Sequence, residues 1–152
     1  EIYFQIGAHP AFNLKGEECY FKFDSTKDIE YNLINEAGLY NKDDAHVLKN
    51  DGFVRITNEM FDNDALIVEN RQAKEICICT ADKKPYVKVS FTAPLFGLWS
   101  PAKKNAPFVC IEPWHGIDDM CDAGHDIAEK ERIEVLGAGE TWVFPVTITA
   151  ID

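Results

Sequence analysis

The chain has 152 residues, a length that fits one domain, and 46% of them are hydrophobic, enough for a packed core. Fifteen basic residues against 26 acidic ones give a formal charge of −11, which repels phosphate backbones and anionic membrane surfaces. No apolar run approaches the roughly 18 residues of a bilayer span, so neither a nucleic acid nor a membrane is expected as partner, and a neutral small molecule fits better.

In chain order the strand signals recur from the start. Ile2, Phe4 and Ile6 alternate with Tyr3 and Gln5, and Cys19, Phe21 and Phe23 alternate next. Phe53–Thr57, Ala65–Glu69 and Glu75–Thr80 read as short strands, followed by the alternation of Val87, Val89 and Phe91. Phe108–Glu112, Arg132–Leu136 and Thr141–Ile151 complete the set, with Trp142, Phe144, Val146 and Ile148 on one face of the last. Turn signals separate them: Asn50-Asp51-Gly52, Asp82-Lys83-Lys84-Pro85, Asn105-Ala106-Pro107 and Gly137-Ala138-Gly139. Helical periodicity is confined to single turns at Met60–Asp64 and Asp126–Glu131. The expectation is an all-β, antiparallel sandwich.

The start, Glu1-Ile2-Tyr3-Phe4, falls inside an apolar alternation without a Met, and is expected to be a cut into a longer domain. An open β fragment leaves sheet edges bare, so a missing half of the same domain or a dimer partner is expected. Five Cys, an odd number without CxxC spacing, read as buried reduced thiols of a cytoplasmic protein. Cys77 and Cys79 would share one strand face, which suits neither a disulfide nor a zinc knuckle.

Two similar constructions stand out. The first strand runs into Gly7-Ala8-His9-Pro10, and Phe108–Ile111 runs into Glu112-Pro113-Trp114. In each, an ionisable residue at the end of an apolar strand precedes proline. Proline fixes its own φ and pushes the residue before it into extended backbone, so both side chains are held on a stiff chain beside aromatics, Phe12 and Trp114. Such positioning suits a general acid and a general base. His titrates near neutrality, and a Glu in a partly apolar cleft has its pKa raised toward the working range. Taken alone, either dipeptide reads equally as a structural loop His and a solvated strand-end Glu.

The run Phe4-Gln5-Ile6-Gly7-Ala8-His9-Pro10-Ala11-Phe12-Asn13 resembles the HPAF-containing segment of the aldose 1-epimerase family, in its LacX-like branch. Val109 through Asp119, with Glu112-Pro113-Trp114-His115-Gly116 at its centre, resembles the second signature of that branch. Met60 through Ile67, Lys130 through Leu136 and Gly139-Glu140-Thr141 are similar to further segments, in the same order. The resemblance implies a galactose-mutarotase-like supersandwich, of which residues 1–152 would be the C-terminal part of a single domain.

It further implies interconversion of the α and β anomers of a hexose by acid–base ring opening and closure. The family's acid maps onto His9 and its base onto Glu112. A sugar-contacting aspartate maps onto Asp64, with Asp62 close behind. Trp114, Phe12 and His115 are expected at the substrate; Trp99 reads as core. No metal and no organic cofactor are implied. His9, Glu112, His115, Asp118 and His125 supply ligand types for a metal, but without a tight spacing such as HxH or HExxH. Two other readings are a carbohydrate-binding sandwich without chemistry, and a hexose-6-phosphate mutarotase, for which Arg55, Arg71 and Arg132 flank neither motif. The test on structure is whether the His9 imidazole and Glu112 carboxylate share one open cleft, within a sugar ring's width.

Overall fold

The computed structural model describes residues 1–152. It contains fourteen short strands: β1 (Ile2–Phe4), β2 (Ile6–Gly7), β3 (Ala11–Asn13), β4 (Cys19–Phe23), β5 (Ile29–Tyr31), β6 (His46–Leu48) and β7 (Val54–Ile56). Then follow β8 (Leu66–Val68), β9 (Glu75–Cys79), β10 (Pro85–Phe91), β11 (Leu95–Trp99), β12 (Phe108–His115), β13 (Glu134–Leu136) and β14 (Val146–Ala150). Helix is limited to two 3-10 turns, Glu59–Phe61 and Ile127–Glu129, near the two helical turns expected. No helix is long and apolar enough to cross a membrane.

Every strand pairing is antiparallel. One five-stranded sheet runs β14-β10-β9-β4-β7. A second runs β8-β11-β12, with β2 and β3 both on the far edge of β12. Two-stranded ribbons β1-β13 and β5-β6 flank them. The fold is the antiparallel β-sandwich that the alternation predicts.

The two large sheets bury one continuous core. Phe21, Phe23, Ile76, Ile78, Val89 and Phe91 come from the first sheet, and Leu66, Val68, Phe96, Leu98, Val109 and Ile111 from the second. Side chains alternate across a strand, so the residues between these point to the outer face of the second sheet. That face is not bare. Loop residues Ile34, Tyr40, Ile117 and Met120 pack onto it against Ala65, Ile67, Leu95, Trp99 and Trp114, forming a second, smaller apolar cluster.

Covering both faces explains a strand that the sequence reading lacks. In β11, Leu95, Phe96 and Leu98 are all fully buried, so the segment reads as a continuous apolar run interrupted by Gly97, without alternation. The final expected strand is also shorter. Residues 141–145 are irregular, and β14 begins at Val146, paired with Phe91. Cys19, Cys79 and Cys110 are buried thiols, Cys77 is half-buried and Cys121 is exposed. Apolar side chains remain exposed on the flanking strands and the last segment: Ile2, Tyr3, Ile6, Val135, Val143 and Ile148.

Candidate active site

The site follows from one register. On β12, Gly7 pairs with Trp114 and Ile6 with His115, while Ala11 pairs with Cys110, Phe12 with Val109 and Asn13 with Phe108. The two residue numbers sum to 121 in every pair, on both sides of the interruption between β2 and β3. The same sum sets His9 directly opposite Glu112. Two backbone bonds flank them, from the Ala8 amide to the Pro113 carbonyl at 3.0 Å and from the Ile111 amide to the Pro10 carbonyl at 3.4 Å. The 9–112 pair therefore occupies the narrow position of an antiparallel ladder, where facing side chains stand closest.

The result is contact. His9 Nδ1 lies 3.3 Å from Glu112 Oε1. The imidazole is 60% exposed and the carboxylate 5%. The approach lies outside hydrogen-bonding geometry, and Oε1 is a buried oxygen with no hydrogen-bond partner. Glu112 is not at a strand end, as the Glu-Pro dipeptide suggests, because β12 continues through Pro113 to His115. Proline is tolerated in this inner strand because its missing N–H faces β2 and β3 on the edge, while β11 is on the other side.

Burial, the largest influence, pushes the Glu112 carboxyl up to about 7. The facing His9 cation and the Trp114 indole pull it down, and the Asp64 carboxylate adds to the rise. A carboxylate poised near neutrality, with an unpaired buried oxygen, can accept and return a proton at ordinary pH.

The floor around this pair is shaped by glycine. Gly97 of β11 pairs with Glu112, and Gly7 of β2 pairs with Trp114. The Trp114 indole lies across both: a Cβ on Gly97 would fall 2.7 Å from Trp114 Cζ2, and one on Gly7 2.6 Å from Trp114 Cδ1. The ring is thus pressed against bare backbone next to the carboxylate. Trp99 closes the other side, its ring edge-on to His9 with centroids 5.5 Å apart. Asp64 comes from the loop before β8. It holds a left-handed φ of 74°, and its Oδ1 accepts a hydrogen bond from the Ala65 amide at 2.7 Å. Such a conformation is uncommon outside glycine and asparagine-like residues, and it clusters at functional sites.

His9, Asp64, Trp99, Glu112, Trp114 and Asp118 line one cavity of about 130 Å³, with Ile34, Ala65 and Ile67 as its apolar wall. Of the expected site residues, His9, Glu112, Asp64 and Trp114 therefore come together. Asp62 lies exposed on the preceding turn and is not in the lining. Asp118 is at the cavity's rim, exposed yet flanked by protein, and desolvation is the main cause of its raised pKa.

Two expectations are corrected. Phe12 pairs with Val109 and packs against the main sandwich core, away from the cavity lining. His115 falls on the opposite face of β12 from Glu112 and Trp114, as alternation requires. Its Nδ1 lies 2.8 Å from Glu134 Oε1, and its ring meets Trp142 and Phe144 edge-on. Trp99, which reads as core in the sequence, is instead a wall of the cavity. Its only sequence signal was an aromatic at the end of an apolar run.

A β-sandwich with a facing imidazole and carboxylate and an indole on the outer face of its second sheet has counterparts among solved structures. The structure superposes on a galactose mutarotase related enzyme from Lactobacillus acidophilus with a TM-score of 0.87 and 27% identity, over 99% of this chain and 53% of that one. A galactose mutarotase-like protein from Lactobacillus casei ATCC 334 shows the same fold at a TM-score of 0.75 and 19% identity, over 97% and 52%. In sequence, the chromosomal LacX protein of Lactococcus lactis subsp. lactis is 26% identical over 137 residues, 84% of this chain and 46% of the relative. No family model matches the chain. The chain is thus similar in fold to galactose mutarotase-like proteins and in sequence to the LacX proteins. The chain spans about half the length of the curated relatives it matches.

Proposed function

We propose that the protein is a mutarotase that interconverts the α and β anomers of an unphosphorylated hexose. The observation that carries this reading is the buried, hydrogen-bond-free Glu112 Oε1 facing the exposed His9 imidazole at 3.3 Å in one cleft. Glu112 takes the proton from the anomeric hydroxyl. His9, protonated at Nε2, gives a proton to the ring oxygen, and the C1–O5 bond opens to the free aldehyde. Rotation about C1–C2 and closure on the other face, with the roles reversed, completes the exchange. Both oxygens that exchange protons are bonded to C1, so an acid and a base in contact, under the sugar, suit the reaction. Asp64 and Trp114 serve as hydroxyl acceptor and ring platform. The related enzyme from Lactobacillus acidophilus supports the same chemistry.

The lining supports a neutral sugar: it carries Asp64, Glu112 and Asp118 and neither Lys nor Arg. Arg132 is held by Glu69 and Lys130 by Asp119 instead. Residues 1–152 are read as the C-terminal part of one domain whose remaining length completes the cleft and covers the exposed apolar side chains of β1, β2 and β13. Polarimetry on a freshly dissolved pure anomer tests the reading in the full-length protein. His9→Ala and Glu112→Gln are each expected to slow mutarotation by about 10²–10⁴-fold. Wild-type rates in both variants remove the pair from the mechanism. Sugar binding without anomer exchange by the wild type would favour the non-catalytic module.

A further inference from the structure

We propose that His9, Cys110 and Glu112 together form a binding site for a zinc-like divalent cation, and that the cation blocks the cleft. Cys110 is two residues before Glu112 on β12, so alternation puts its thiol on the same outer face, two rungs along from His9. A ligand atom from each of the three residues lies within 4.8 Å of the other two.

The geometry is close to what such an ion requires. Metal–ligand distances of about 2.0–2.3 Å set the edges of a tetrahedral site at about 3.3–3.8 Å. The His9–Glu112 separation of 3.3 Å already meets that edge, and the thiol, within 4.8 Å of both, is at most about 1.3 Å beyond the roughly 3.5 Å of a sulfur-to-oxygen or sulfur-to-nitrogen edge. A side-chain rotation of that size closes the set. Glu112 Oε1 is the second, independent indication: a buried carboxylate oxygen, aimed into the site, with no hydrogen-bond partner. The exposed His9 ring provides the entry path.

The donor set is one imidazole nitrogen, one sulfur and one carboxylate oxygen. That mixture suits borderline-soft zinc or cobalt over magnesium or calcium, which take oxygen alone. Binding displaces the thiol proton to solvent: the S–H bond breaks, an S–metal bond forms, and no oxidant or reductant is involved. Thiolate and carboxylate then neutralise the dication. Three protein ligands leave a fourth position for water, and His9 and Glu112 can no longer exchange protons. The inhibitory consequence rests on the mutarotase reading; the metal site itself does not.

Binding is read in the full-length protein with two probes. Co²⁺ is expected to give thiolate-to-metal absorption in the near ultraviolet, which disappears in Cys110→Ala. Zn²⁺, titrated against a chromophoric chelator, is expected to bind Cys110→Ala and His9→Ala about 100-fold more weakly than wild type. Cys110→Ala keeps both proton-transfer groups, so its metal-free mutarotation stays at the wild-type rate while inhibition by Zn²⁺ moves up by the same factor. Bound Co²⁺ without the thiolate band, or equal Zn²⁺ affinity in wild type and Cys110→Ala, overturns the site. If Cys110→Ala does not fold, the presence or absence of the band in wild type decides. A thiolate band in a protein without mutarotation leaves the metal site standing and removes the enzyme reading.

Discussion

Replacing Glu112 by Gln is expected to stabilise the protein at alkaline pH while it stops the chemistry. The carboxyl rises from an ordinary 4.5 to about 7 on folding, chiefly through burial. At about 1.4 kcal/mol per pH unit, holding the ionised group in place costs about 3 kcal/mol once the pH is well above 7. The sign follows from linkage. The folded state binds this proton more tightly than the unfolded chain, so the associated stability is fully present below pH 4.5. It is lost as the pH rises through about 7. Gln is neutral throughout and of the same shape, so the variant escapes that loss. Its stability advantage over wild type is expected to widen by about 2.5 kcal/mol between pH 5 and pH 8. Urea unfolding of both proteins at the two pH values measures it, with a common m-value as the check on like-for-like denatured states. A difference that stays flat with pH, or a wild type that gains on the variant as pH rises, refutes the claim that burial dominates at this carboxyl.

Further tests follow from the same geometry. With Glu112 as base, kcat/KM is expected to fall about tenfold per pH unit below about 7, where the carboxyl protonates. Asp64→Asn removes a negative charge that helps to hold that pKa up, so the acid limb of the profile is expected to move to lower pH; an unmoved limb excludes Asp64 as a neighbour that matters. Gly97→Ala puts a Cβ 2.7 Å from Trp114 Cζ2 and forces the indole off the sheet. A cost of about 1–3 kcal/mol in unfolding and a shifted Trp emission are expected, and unchanged fluorescence would show that the ring has room. Tyr40→Phe deletes a 2.6 Å hydrogen bond from a fully buried phenol to Glu69, leaving that oxygen without its donor beside Arg132. About 1–3 kcal/mol should be lost in a thermal or urea melt.

The alternating strands were legible because their outer faces differ chemically from their inner ones. Cys19–Phe23 shows that contrast residue by residue, and Pro85–Phe91 shows it from Lys88 onward. β11 was not legible because loop residues bury its second face, so burial on both sides erases the period. At the site, both pre-proline residues stood out in the sequence, but their meeting did not. It depends on the pairing of β2 and β3 with β12, about a hundred positions away, and no local propensity encodes a register. His115 shows the complementary error. Adjacency in sequence to Trp114 suggested a shared cleft, yet on a strand adjacent residues face opposite ways. Cys110 is illegible for the converse reason: in sequence it is one more thiol in an apolar run, and only the register sets it near His9.

The same register gives the two prolines a physical role. In an unbroken antiparallel ladder, the rungs 8–113 and 10–111 would each exchange two backbone bonds. Here each keeps one, Ala8 to Pro113 and Ile111 to Pro10, because the returning donors would be the nitrogens of Pro113 and Pro10. The loss is about 1 kcal/mol per missing bond. The gain is at the rung between them. His9 and Glu112 each precede a proline, so both are confined to extended backbone, and both occupy the narrow position where facing side chains are closest. His9 lies in the interruption between the edge strands β2 and β3 and reaches solvent; Glu112 is on an inner strand and is buried. A single cross-strand pair thereby holds an accessible imidazole against a desolvated carboxylate. Substitution of either proline leaves that chemistry nominally intact while loosening the rung that aims it.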